Sequence, residues 1–154
     1  MIQKAERIIE AYQKVKPAGC GVIAMDGRAA AGKTTLAEEL AVTLGGAVVH
    51  MDAFFLLGEL RTPERLAAPG GNVHAERFAE EVLPYLRREA FRYRRFDCHR
   101  MDYNGWTEIP PVPVIIVEGA YSQHPRFGGY ADLTVFCDIA PEEQKRRITA
   151  RNGM

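Results

Sequence analysis

Cysteine is scarce in this chain. Cys20, Cys98 and Cys137 are widely spaced and odd in number, and no C-x-x-C string occurs. Neither a disulfide framework nor a cysteine zinc site is expected, and a reducing compartment is the simplest setting. Long apolar runs are also missing: nothing approaches the roughly 20 residues that span a bilayer. The opening stretch MIQKAERIIEAYQKVK lacks the apolar block of a secretory signal. Net charge is absent as well, with 20 Lys+Arg against 20 Asp+Glu. That balance removes the electrostatic footprint of a general nucleic-acid or anionic-membrane binder. The expected setting is cytoplasmic, with no nucleic-acid and no membrane partner.

What is present is an ordinary globular composition, 47% hydrophobic and 26% charged over 154 residues. A chain of this length makes one domain, here 1–154, and buries enough surface to fold without a covalent or metal staple. Ile2, Ala5, Ile8, Ile9, Tyr12 and Val15 recur at helical spacing, predicting an N-terminal helix within about residues 1–17 that Pro17-Ala18-Gly19 ends. A buried strand follows over Gly21–Asp26, then a helix over Lys33–Leu44 carrying Leu36, Leu40 and Leu44. The strand Ala47–Met51 delivers Asp52 at its C-terminal end. Arg61–Gly71 reads as a loop with one short helix, capped by Thr62 with Pro63 at the first helical position.

Phe78, Val82, Leu83 and Leu86 predict a helix over about Ala75–Arg88. Residues 91–109 read as a hairpin excursion turning at Asn104-Gly105. Two further strands, Val114–Val117 ending at Glu118-Gly119 and Leu133–Cys137, precede a helix over 141–151. Strands alternating with helices imply right-handed crossovers: an α/β fold with an open, mostly parallel sheet of about four strands and helices on both faces.

The segment Gly27-Arg28-Ala29-Ala30-Ala31-Gly32-Lys33-Thr34 fits G-x-x-x-x-G-K-[ST] without a mismatch. Its glycines let the backbone wrap close to an anion so that successive N–H groups point at phosphate oxygens, and the following helix adds its positive dipole end. Lys33 is placed to reach the β- and γ-phosphates, and the Thr34 hydroxyl to ligate Mg²⁺. The dinucleotide string G-x-G-x-x-G is absent after the strand. This makes the fold a P-loop NTPase type with ATP and Mg²⁺ as cofactors. No N-K-x-D guanine-reading string occurs, which argues against a GTPase.

Ligands of an open α/β sheet bind beyond the carboxyl ends of its strands, where Asp52 and Glu118 both follow apolar runs. One can take the proton from an attacking hydroxyl while the other holds Mg²⁺. Asp52 is the favoured base and Glu118 the favoured ligand, with sharing of the ion by both left open. Asp26 suits a bracing role. Phosphoryl transfer also needs positive charge over the transferring group. The run Lys145-Arg146-Arg147 through Arg151 supplies it, with Arg147 and Arg151 one turn apart.

In this order and spacing, Gly27–Thr35, Asp52-Ala53-Phe54-Phe55, Val117-Glu118-Gly119 and Lys145-Arg146-Arg147 resemble the uridine kinase-like family of P-loop kinases, which includes nucleoside kinases and phosphoribulokinases. Its D-S-F-Y signature is matched at Asp52, Phe54 and, loosely, Phe55. Phe96-Asp97-Cys98-His99 is similar to its aromatic-x-x-His element on the hairpin that grips the nucleobase. The resemblance implies a kinase in which Thr35 joins the phosphate loop, Arg147 and Arg151 are lid arginines, and Phe54, Phe96 and His99 help form the acceptor site. His74 stands where the family has the ribose-binding Asp of N-F-D, and an imidazole cannot accept two hydroxyl donors as a carboxylate does. The expected acceptor is therefore a nucleoside such as uridine or another small alcohol. A P-loop ATPase or a nucleotide-binding module is the alternative, and homo-oligomer formation is left open. The family has a further strand and helix after the lid, whereas this chain stops at Arg151-Asn152-Gly153-Met154, so a shortened C-terminal end is expected.

Overall fold

The computed structural model describes residues 2–15, 20–27, 32–55, 60–67, 73–86, 90–97, 100–119, 121–124 and 127–137. The chain runs α1 (Ile2–Val15), β1 (Gly21–Gly27), α2 (Lys33–Leu44), β2 (Ala47–His50), α3 (Pro63–Ala67), α4 (Ala75–Glu81), β3 (Phe91–Asp97), β4 (Asp102–Ile109), β5 (Val114–Glu118) and β6 (Leu133–Cys137). Four strands form one sheet in the order β2-β5-β1-β6, all neighbours parallel. β1 and β5 lie inside it and are apolar almost throughout, as strands covered on both faces must be.

Alternation along these strands sorts the core into two layers. Ile23, Met25, Val114 and Ile116 point to one face, where Ala5, Ile8 and Tyr12 of α1 and Leu36, Leu40 and Ala41 of α2 cover them. Val22, Val49, Ile115 and Val117 point to the other, against Phe54, Phe78, Val82, Tyr93 and Phe127. The expected α/β sheet is therefore present. Its second face is covered by α4, short 3-10 turns and the β3–β4 hairpin, where helices were expected. Among the described residues no helix is long and apolar enough to cross a membrane.

Three boundaries depart from the sequence reading. β2 stops at His50, and Met51–Phe54 form a 3-10 turn, so Asp52 sits on that turn. The helix expected to reach Arg88 ends at Glu81, and a second 3-10 turn, Leu83–Tyr85, follows. Pro84 explains the break, because it has no N–H to continue the ladder. Phe78, Val82 and Leu86 stay buried all the same. The hairpin reverses after Asp97, not at Asn104-Gly105, which lie inside β4. Between the pairs Arg94↔Trp106 and Phe96↔Tyr103, β4 carries one residue more than β3, and Gly105 takes φ 76° there. The Asn-Gly pair makes a bulge, a second structure that needs a positive φ. The helix expected over 141–151 lies outside the described residues.

Gly27 ends β1 in register with Cys137 at φ 144°, and a Cβ there would meet the Cys137 carbonyl oxygen at 2.0 Å. Gly27→Ala should cost about 3 kcal/mol, combining backbone strain with a clash against another strand. Urea unfolding of the two proteins measures this, and equal midpoints would contradict the register at β6.

Candidate active site

β1, β2 and β5 end at the same edge of the sheet, because the parallel registers pair Met25 with Glu118 and Glu118 with His50. The phosphate loop leaves from this edge. Asp26 braces its start: one carboxylate oxygen accepts from the backbone N–H of Gly27 at 2.7 Å and of Tyr121 at 3.1 Å, the other from Gln123 N–H at 3.2 Å. Gln123 then donates its side-chain amide to the carbonyls of Ala24 and Val135. Asp26 and Gln123 thereby tie the loop after β5 to β1 and β6. Lys33, the first residue of α2, donates from Nζ to the Gly27 carbonyl at 2.8 Å.

Beside it lies a buried carboxylate. Glu118 is only 3% exposed, and its Oε1 accepts from the Thr34 hydroxyl at 3.2 Å and pairs with His50 Nδ1 at 2.6 Å. A carboxylate only accepts, so Nδ1 carries the proton. The hydrogen bond to Glu118 holds the His50 pKa above its ordinary value, against the opposing effect of burial, and the nearby charge of Asp52 adds to the rise. Thr34, Glu118, His50 and Asp52 thus share one neighbourhood. Thr35 instead lines a groove between α1 and α2 with Glu6, Ile9, Glu38 and Val42.

The donors fit Mg²⁺ chemically, being a hydroxyl and a carboxylate, the hard oxygen ligands this ion prefers. Among the described residues no group of three or more His, Cys, Asp and Glu forms a complete cage. Mg²⁺ takes one or two carboxylates and fills its shell with water and substrate phosphates.

Asp52 is exposed, on a turn whose neighbours are firmly held. Phe54 is fully buried between Phe78, at 5.4 Å edge-on, and Tyr93, at 5.1 Å between ring centroids. This corrects the expectation that Phe54 contacts the acceptor: it has no surface to offer one, and the apolar core claims it. Phe55 reaches the hairpin instead, edge-on to Phe96 at 6.2 Å. His74 caps α4, its Nδ1 accepting from Arg77 N–H at 3.3 Å, with Glu76 Oε2 3.1 Å away. Burial holds its pKa below the ordinary value, consistent with the neutral ring a cap requires.

Arg77 has no signature in the sequence. Its side chain is 7% exposed and pairs with Glu81 at 2.6 Å. It also donates to the carbonyls of Ala53, next to Asp52, and of Arg94 on β3. Its guanidinium lies over the rings of both Phe54, at 4.8 Å, and Tyr103, at 4.5 Å. Arg94 continues the alternation between Tyr103 and Trp106, and Arg92 covers Trp106. One cation–aromatic stack therefore runs from the solvent face of the hairpin to the turn that bears Asp52. Among the other expected site residues, Arg28, Ala29, Ala30, Ala31, His99, Arg147 and Arg151 lie outside the described residues.

The sheet and the G-x-x-x-x-G-K-[ST] string together fit an α/β fold of the P-loop NTPase type, and two solved structures that resemble it are described as kinases. A protein described provisionally as a uridine kinase from Bacillus stearothermophilus superposes with a TM-score of 0.76 at 21% identity, over 98% of this chain and 89% of that one. Another, described provisionally as a fructose transport system kinase from Silicibacter sp. TM1040, gives 0.78 at 24% identity over 97% and 83%. At these identities the likeness shows the fold. No family model matches the chain.

Burial pushes the Glu81 carboxyl up, but the Arg77 and Arg94 hydrogen bonds outweigh it and hold its pKa below the ordinary value. A depressed carboxylate contributes stability above its unfolded pKa of about 4.3 and loses it as pH falls through the folded value. Arg77→Met should therefore cost about 2–3 kcal/mol near neutrality, the lower end for a broken pair because Glu81 is part-exposed. That gap should narrow in urea unfolding at about pH 3. A gap that does not change with pH would contradict the ion-pair account.

Proposed function

We propose that this chain is a Mg²⁺-dependent kinase that transfers the γ-phosphoryl group of ATP to a hydroxyl of a small molecule. The acceptor is a nucleoside such as uridine or another small alcohol. The observation that carries this reading is the Thr34–Glu118 contact at the sheet edge from which the phosphate loop departs, with Lys33 drawn across that loop.

In this reading the backbone N–H groups of Gly27 through Lys33 hold the phosphates, and Arg28 adds positive charge to the loop. Lys33 exchanges its bond with the Gly27 carbonyl for one with a phosphate oxygen. Thr34 and Glu118 would hold Mg²⁺, and the bound ion would supply positive charge to offset that of the phosphates. Asp52 takes the proton of the acceptor hydroxyl while the hydroxyl oxygen bonds to the γ-phosphorus. The bond to the β,γ-bridging oxygen breaks and ADP leaves with its electron pair. Arg147 and Arg151 complete the positive shell as lid arginines, and Phe96 and His99 bound the acceptor.

The exposure of Asp52 supports its role as base, because a base must be reachable by the acceptor. The kinase names of the two structural neighbours support phosphoryl transfer. One of those names concerns a sugar, and His74 is committed to capping α4 and offers no carboxylate for a ribose. Both points favour a small alcohol other than uridine as the second reading.

ADP release from ATP and Mg²⁺, with and without a panel of nucleosides, sugars and small alcohols, tests the proposal. Stimulation by one acceptor class is expected. Acceptor-independent release identifies an ATPase, and tight binding without release identifies a binding module. Lys33→Ala should lower turnover about 10²–10³-fold through lost phosphate stabilisation. Asp52→Asn should keep ATP affinity while lowering acceptor phosphorylation about 10²-fold or more. Full activity in either variant would remove that residue from the mechanism.

A further inference from the structure

His50 plays no part in the motif that defines the phosphate loop, yet it makes a short, direct contact with the buried carboxylate of the site. The β2–β5 register sets His50 directly beside Glu118, and its Nδ1–H donates to Oε1 at 2.6 Å. Both ends of this contact are constrained. The Glu118 side chain is 4% exposed against 37% for His50, and the pairing of β2 with β5 fixes the His50 backbone beside it. Carboxylates this deeply buried need hydrogen-bonded partners. Among the described residues, His50 and Thr34 are those that Glu118 has, and both act on the same oxygen.

The arrangement has a direction. His50 donates to Glu118, which fixes the rotation of the carboxylate. Glu118 then accepts the Thr34 proton, which fixes the rotation of that hydroxyl. A hydroxyl that has given its proton to a carboxylate turns its lone pairs away from it, and lone pairs are what a divalent cation needs. Oε2 of Glu118 carries no hydrogen bond among the described residues. One carboxylate oxygen is thus used for orientation while the other remains available.

From this geometry we infer that His50 is a positioning residue for the divalent cation that accompanies the nucleotide, acting through Glu118 on the Thr34 hydroxyl. The inference rests on the nucleotide-site reading above. It predicts that His50 governs the metal-dependent part of nucleotide affinity and leaves the metal-free part alone. Partners that orient metal ligands in this way are typically worth about 10–100-fold in metal affinity.

Calorimetric titration of ATP into the full chain, once with MnCl₂ and once with EDTA, separates the two parts. His50→Leu removes the donor, His50→Asn keeps a donor near the place of Nδ1, and His50→Gln moves the donor outward by one carbon. The expected result is that Mn²⁺ strengthens ATP binding in the wild type and in His50→Asn. In His50→Gln and His50→Leu that strengthening should fall about tenfold or more, with affinity in EDTA changed less than about twofold. The Asn–Gln comparison stands alone if His50→Leu does not fold. An equal Mn²⁺ effect in His50→Gln and the wild type would overturn the inference. Equal losses in Mn²⁺ and EDTA would overturn it too, by showing a purely structural role. If wild-type ATP binding is untouched by Lys33→Ala, the nucleotide-site reading itself falls, an outcome distinct from either of these.

Discussion

A carboxylate removed from water at the end of a central strand is the constraint on which this site depends. Glu118 cannot remain charged there without donors, and the sheet supplies them by register, His50 from β2 and Thr34 from the first turn of α2. The same parallel pairing brings β1 to this edge, so that the phosphate loop starts one residue beyond Asp26. Core packing and site geometry are therefore one problem. The apolar alternation that buries Ile116 and Val117 on opposite faces also fixes where Glu118 emerges.

A second buried charge organises the opposite flank. Arg77 gathers carbonyls from the Asp52 turn and from β3, and its guanidinium lies over the rings of Phe54 and Tyr103. An arginine suits this position because its flat, weakly hydrated head stacks and donates at the same time. The hairpin and the turn carrying Asp52 are thereby joined through one side chain. The two buried charges flank the turn on which Asp52 stays exposed, Glu118 on the sheet side and Arg77 on the hairpin side.

Much of this was legible in the sequence, for identifiable reasons. β1, β5 and β6 are apolar runs bounded by turn residues, and the phosphate loop has a spacing that few other structures need. Asn104-Gly105 was misleading because a bulge and a hairpin turn demand the same positive φ. The helix over 75–88 was overextended because its apolar spacing continues through Pro84, which ends the α-helix but not the burial. Phe54 read as a ligand contact because its place in a motif hides which way the turn faces. His50 and Arg77 could not be found at all. Their partners lie 68 residues away at Glu118 and 24 away at Ala53, and only sheet register and tertiary packing bring those pairs together.

In the proposed function, Thr34, Glu118 and the loop between Gly27 and Lys33 form one site for a metal–triphosphate. A crystal structure with Mg²⁺ and a non-hydrolysable ATP analogue tests it most directly. The expected result is the triphosphate on the loop N–H groups, Lys33 Nζ moved from the Gly27 carbonyl to a phosphate oxygen, and Mg²⁺ on the Thr34 hydroxyl. Glu118 should meet the ion directly or through one water while keeping its bond from His50. A nucleotide bound elsewhere, or an ion out of reach of both Thr34 and Glu118, would contradict it.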